Sequence, residues 1–412
     1  MDRPRQVTLL LCAAGRLLGA LPPFTVDDPH WQETHDIVTT CARVHGLSVT
    51  VLRLLSVRGS EADRGGEVTY LAEVQVDDLL FTRPPLTPWQ GQDPREPHPL
   101  RAAYADPGGP EAAVAWALDA LAGIGRVSTR PPVQMRTWNL SSIWRIPTAS
   151  GAPAWLKLAP TFYDHEGPLL ELLANALPGR KVAVPVVLAS AKGRLSLDDI
   201  PGTDQYRADA AVMADAITEL VALQHALSSR LADLQALGLP DRRLTATAPR
   251  VSTLLARWRD ALTLQEIGVL ENLVEALPER YALTAAAGLP DTLLHGDFYQ
   301  GNVRGEPGRW RILDWGDAAI GHPVIDIIRL RGFVRADQRD EVVRLWATAW
   351  RSAIPGCEPE AALGPFAPVV ELLDGLTYQA FLDNIEPDER VYHANDPLTS
   401  LRCAVEVVTG GA

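Results

Sequence analysis

The chain predicts an α+β protein in which a small α/β module precedes a sheet-rich segment and then a large helical one. Three observations predict this. At 412 residues the chain is too long for one ordinary core. Strand-like alternation gives way to helical spacing after Pro201-Gly202, and residues 123–132 have the composition of a linker. The expected domains are therefore 1–126, 127–202 and 203–412.

Residues 7–12 and 16–21 read as paired strands around Gly15-Arg16. Asp28-Pro29 has the form of a helix start, with Asp as cap and Pro where its missing N–H costs nothing. Ile37, Cys41 and Val44 then share a face, and Gly46 suits a left-handed stop. Strands follow at 48–55 and 67–76, the second alternating Val68, Tyr70, Ala72 and Val74. Residues 83–110 lose periodicity, and a helix is expected at about 111–122. Strand-like segments occupy 133–146, 153–159 and 183–200, with a helix at 164–177. Met213, Ile217, Leu220, Leu223 and Leu227 keep helical spacing, with His225 expected as a packed core residue. Helices recur at 251–278 and 338–352.

Net charge is −13, from 38 basic and 51 acidic residues. Such a chain repels phosphate backbones, so neither nucleic acid nor an anionic membrane surface is expected as a partner. The four cysteines form no CxxC pair, which argues against a zinc site or a disulfide framework. Arg3 and Arg5 ahead of an apolar run imitate a signal peptide, but Arg16 interrupts it. No uninterrupted run reaches the ~18 apolar residues of a membrane span, and a cytoplasmic protein is expected.

The chemistry is concentrated in His295-Gly296-Asp297-Phe298-Tyr299-Gln300-Gly301-Asn302, followed by Ile312-Leu313-Asp314-Trp315. Phosphoryl transfer to a hydroxyl needs an acceptor for the alcohol's proton and a divalent metal on the phosphates, with positioning and electrostatics supplying the rest. Asp297 suits the first task. Asn302 and Asp314 are oxygen donors suited to Mg²⁺, which keeps few protein ligands and several waters.

Residues from about 133 to 412 resemble the aminoglycoside phosphotransferase and choline kinase-like superfamily. They match its H-G-D, four residues, N pattern, its Ile-Asp-Trp segment (here Leu313-Asp314-Trp315), and its G-x-P-x-x-D tail at Gly321, Pro323 and Asp326. Phe298-Tyr299 departs from the Leu-His that often follows H-G-D. The resemblance implies a bilobal protein-kinase-like fold using ATP and Mg²⁺. It makes Asp297 the catalytic base and Asn302 and Asp314 the metal ligands, with His295 and Asp326 bracing the loop. It also pairs Lys157, in an apolar strand, with Glu166 on the next helix. Ser141 and Ser142 would lie in the nucleotide-covering loop, and Asp199-Ile200 in the hinge that meets adenine.

Residues 1–126 resemble, in element order, a Nudix-type domain, but 39–47 carry no carboxylate for that family's metal cluster. A degenerate, non-hydrolytic module is expected; a structural or dimerising one is the alternative. Residues 371–396 hold seven acids against Arg390 alone, so Asp383 and Glu386 are candidates to meet a cationic acceptor. The leading reading is phosphorylation of a small hydroxylated molecule, an aminoglycoside or other cationic antibiotic. A metabolic kinase acting on a sugar or amino alcohol stands next, then a non-catalytic kinase-like binding protein.

Overall fold

The computed structural model describes residues 4–60, 64–75, 85–149, 151–206 and 208–410. Arg3, residue 76 of an expected strand and residues 83–84 of the aperiodic stretch lie outside them. The chain forms two compact units, one of Met1–Asp164, Val187–Asp199 and Leu382–Ala394, the other of His165–Val186, Ile200–Phe381 and Asn395–Ala412.

In the first unit, β1 (Arg5–Ala13) pairs antiparallel with β2 (Arg16–Ala20) and β3 (Phe24–Val26), and parallel with β5 (Gly66–Val74), which pairs antiparallel with β4 (Val49–Arg58). β1 is apolar from Leu9 to Ala13, where both its faces are covered. Val7, Leu9 and Leu11 enter one core with Ile37 and Cys41 of α1 (His35–His45), while Leu10 and Cys12 meet Leu52 and Leu71 in another. The helix expected at Asp28 begins later, because the Asp28 carboxylate instead accepts the amide of His30 two residues on, the geometry of an Asx turn. α1 stops at Gly46 in the left-handed region, as its sequence predicts, although Val44 is exposed.

A second, antiparallel sheet has the order β6 (Val133–Trp138), β7 (Ser141–Ile146), β8 (Ala154–Leu158), β10 (Arg194–Asp198), β9 (Val187–Ala191). α2 (Gly109–Gly123) covers it, Ala113, Ala117 and Leu121 packing on Ile146, Leu156 and Leu158.

The second unit is largely helical. α3 (Glu166–Ala174) precedes β11 (Thr203–Asp204), α4 (Ala210–Leu227) and α5 (Leu231–Ala236). The helix expected at 251–278 is two, α6 (Leu244–Trp258) and α7 (Leu264–Glu275), because Thr263 and Glu266 form a capping box that restarts the helix. α8 (Leu277–Ala285) leads to β12 (Thr292–Leu294), β13 (Val303–Gly305), β14 (Arg311–Ile312) and β15 (Ala319–Gly321). α9 (Val324–Phe333), α10 (Arg339–Ala353), α11 (Leu363–Asn384) and α12 (Asp396–Thr409) complete the chain, the last residues of α11 counting with the first unit. α4 is long and apolar enough to cross a membrane by length and composition, but 56% of it is buried, as in a core helix. His225 on it is exposed rather than in the core, and its neighbour Gln224 takes the interior position.

Candidate active site

The loop 295–302 springs from β12, which pairs with β15, Leu294 opposite Ala319. Asp326, buried in the first turn of α9, ties its start down by accepting the amides of His295 and Gly296, both at 2.9 Å. Gln224 donates to the same carboxylate at 2.8 Å. Burial raises the Asp326 pKa while the two backbone donors lower it. His295, fully buried, is bonded through Nε2 to the Leu313 carbonyl at 2.7 Å and through Nδ1 to the Asp297 amide at 3.2 Å. Those partners define the tautomer with the proton on Nε2. Gly296 has φ +83°, and a Cβ there would lie 2.0 Å from the Asp317 carbonyl oxygen, so only glycine fits this turn.

The Asp297 carboxylate is held at both oxygens. Oδ2 accepts Asn302 Nδ2 at 2.9 Å, and Oδ1 accepts Arg329 Nε at 2.7 Å and Nη2 at 2.6 Å. The same guanidinium reaches Asp374 of α11 at 3.0 Å. Burial works against the Arg329 charge, but Asp374 and Asp297 outweigh it and keep the group firmly protonated. Burial raises the Asp374 carboxyl, with Arg329 opposing it, and pushes Glu371, one turn earlier, up to about 7.

Asn302 and Asp314 lie together because β13 and β14 pair. Val303 sits opposite Ile312, and the Leu313 amide donates to the Asn302 carbonyl at 2.8 Å, so both side chains belong to one end of the hairpin. Asp314 is exposed and in the left-handed region, φ 58° and ψ 68°, which Asp tolerates better than most residues. Asn302 commits Nδ2 to Asp297, leaving Oδ1 as the atom to meet a cation. Among the described residues no group of three or more His, Cys, Asp or Glu could hold a metal. The oxygen pair therefore fits an ion whose other ligands are phosphate and water, the usual state of Mg²⁺.

Glu166 is buried at the start of α3 and accepts the Trp315 amide at 3.2 Å; the preceding His165 is bonded to the Gly316 carbonyl at 2.8 Å. Both hold the turn that follows Asp314. Lys157 is half-buried on the central strand β8 of the first unit.

Other expected positions differ from their reading. Thr137–Trp144 is a tight hairpin rather than an open loop. Ser142 is fully buried, its hydroxyl accepting from Thr137 at 2.6 Å and from Trp144 Nε1 at 3.0 Å, so it cannot meet a nucleotide. Ser141 is half-buried and accepts Trp138 Nε1 at 3.0 Å. The Asp199 amide is taken by the Asp198 carboxylate at 2.9 Å, and the Asp199 side chain accepts Trp155 Nε1. The Ile200 carbonyl accepts Arg304 Nε at 2.9 Å.

Glu386 is corrected outright. It is buried in the first unit, where Arg101 grips it at 2.8 and 2.9 Å, so its charge is spent internally rather than offered to an acceptor. Asp383 is exposed, three residues away in the same unit.

Sequence reasoning missed Arg329, Asp374, Gln224 and His165. Arg329 lies one helical turn after Asp326, so the spacing D-x-x-R on an expected helix was the available signal. Nothing in the sequence distinguishes His165.

A carboxylate held between an amide and a guanidinium, beside a hairpin end carrying two hard oxygen donors, suits phosphoryl transfer. The phosphotransferase enzyme family model, APH, matches residues 141–363, more than half of the chain, and the chain belongs to that family. Solved structures show the same kinase-like fold. The apoenzyme of a macrolide 2'-phosphotransferase from Brachybacterium faecium is 21% identical with a TM-score of 0.50, covering 68% of this chain and 97% of its own. A macrolide 2'-phosphotransferase type I is 18% identical with a TM-score of 0.50, covering 70% and 96%. No curated protein is significantly similar in sequence. The protein is a small-molecule phosphotransferase.

Proposed function

We propose that this phosphotransferase moves the γ-phosphoryl group of ATP to a hydroxyl of a small acceptor, with an antibiotic as the leading acceptor class. The observation that carries this is the Asp297 carboxylate, ion-paired to Arg329 and bonded to Asn302 beside Asp314. Asp297 takes the proton of the acceptor hydroxyl as the oxygen attacks phosphorus. Arg329 fixes the carboxylate through two nitrogens, which leaves it one orientation. Asn302 Oδ1 and the Asp314 carboxylate would hold Mg²⁺, which supplies charge neutralisation on the phosphates. Lys157 is the cation for the upstream phosphates, and Glu166 steadies the turn after Asp314. Exposed Asp383 remains a candidate contact for a cationic acceptor. Proteins named for macrolide phosphorylation share the fold, which supports an antibiotic acceptor.

Asp297→Asn tests the reading. Turnover, followed as acceptor-dependent ADP release with Mg²⁺-ATP, should fall by roughly a hundredfold or more while ATP still binds. Normal turnover in that variant would remove Asp297 from the reaction.

A further inference from the structure

Among the described residues, only two large aromatic side chains are exposed, Tyr206 at 59% and Phe333 at 54%. Both contact one ring. Tyr299, in the loop that carries Asp297, lies 4.6 Å from Phe333 at 35° and 6.5 Å from Tyr206 at 59°, centroid to centroid. Exposed aromatics usually scatter singly, so their convergence on a single ring makes a patch rather than an accident of surface.

The patch is continuous with the catalytic base. The Arg329 guanidinium that grips Asp297 also sits over the Phe333 ring, 5.7 Å from its centroid. Tyr299 follows Asp297 by two residues and lies over the loop backbone, where a Cβ on Gly301 would come within 2.3 Å of its ring. A molecule resting on these rings therefore meets Arg329 and, beyond it, Asp297. Aromatic faces select flat, C–H-rich or aromatic partners, and a polycation gains from them only where an ammonium is desolvated against a ring.

We propose that Tyr206, Tyr299 and Phe333 form an acceptor platform that selects hydroxylated molecules with a flat C–H-rich or aromatic face. The platform rests on the phosphotransferase reading above for its role, since it names what is presented to Asp297. It draws nothing from Glu386 of the acid-lined wall expected from residues 371–396, whose charge is spent on Arg101.

The test is calorimetric binding of three probes to the full chain: 4-nitrophenyl β-D-glucopyranoside, a macrolide and kanamycin. At least one of the first two should bind more tightly than kanamycin. Tyr206→Ala and Phe333→Ala should each weaken that probe by about threefold to tenfold, the scale of one aromatic contact, and Phe333→Trp should restore it. Kanamycin binding tighter than both other probes, or affinities indifferent to both alanine variants, overturns the platform. Acceptor-dependent ADP release separates the two ideas. Turnover with probe binding indifferent to the alanines leaves the phosphotransferase standing without the platform. Ring-dependent binding without ADP release from any probe leaves the platform standing and counts against the transfer reaction.

Discussion

Arg101→Met should release the segment Leu382–Ala394 from the first unit. Arg101 and Glu386 are 3% and 5% exposed, and Arg101 binds both carboxylate oxygens at 2.8 and 2.9 Å. Removing one partner of a buried ion pair costs about 3–5 kcal/mol, because the remaining charge is stranded. Arg53 stays 3.7 Å from Glu386 and compensates part of it, which places the expected cost near the lower end, about 3 kcal/mol. Hydrogen exchange measured on peptides covering 382–394 reads this locally, and 3 kcal/mol corresponds to roughly a hundredfold faster exchange. Glu386→Gln alone should accelerate exchange less, since Arg101 keeps Asp106 at 3.0 Å. In the double variant the two effects should fall short of their sum by more than about 1 kcal/mol, as contacting residues do. Unchanged protection in Arg101→Met, or strict additivity, would refute the claim that this pair holds the segment.

Three further outcomes follow from the same geometry. Glu389 is fully buried near Arg53, Glu386 and Asp388, and burial raises its carboxyl to about 8. A raised acid stabilises the fold fully below its unfolded pKa near 4.5 and loses that contribution as pH rises through about 8. Glu389→Gln should therefore flatten the fall in melting temperature between pH 5 and 9, and an unaltered pH profile would count against it. Gly296→Ala should abolish turnover, because the Cβ would meet the Asp317 carbonyl at 2.0 Å; activity within tenfold of wild type would contradict that turn. Asp314→Ala should weaken Mg²⁺-dependent nucleotide binding while leaving metal-free binding alone, read by titration with and without Mg²⁺.

The clustering of His295, Asp297, Asn302, Asp314 and Asp326 was legible because phosphoryl transfer asks for fixed residue types at fixed spacing and these five are local in sequence. The α+β class was legible from periodicity, down to the Gly46 stop. What was not legible depends on partners far apart in the chain. Arg329 becomes interesting only once α9 places it on Asp297, and Asp374 looked like one more acid in an acidic run. Asp28-Pro29 carried a helix-start signature, yet the Asx turn won because the same side chain can serve either. His225 and Gln224 are adjacent on one helix, and apolar spacing alone could not tell which of them points inward.

The acids of 371–396 show why local charge density misleads. In the folded chain they serve different ends. Asp374 shares Arg329 with Asp297. Glu386 and Asp388 pair with the buried Arg101 and Arg53. Two other residues of the 382–394 segment are tied down as well. The Glu389 carbonyl accepts Asn139 Nδ2 at the tip of the β6–β7 hairpin, and Tyr392 packs edge-on against Trp31 and Trp138, each at 5.6 Å. Displacing that hairpin from the segment would break a buried hydrogen bond and the Trp138–Tyr392 ring contact, a cost on the order of 1–3 kcal/mol. The hairpin expected to cover the nucleotide and the segment expected to meet the acceptor therefore move as one body. At Glu386 and Asp388 a charge run that reads as a binding surface is an internal brace, answered by two arginines, Arg53 and Arg101, more than 280 residues earlier in the chain.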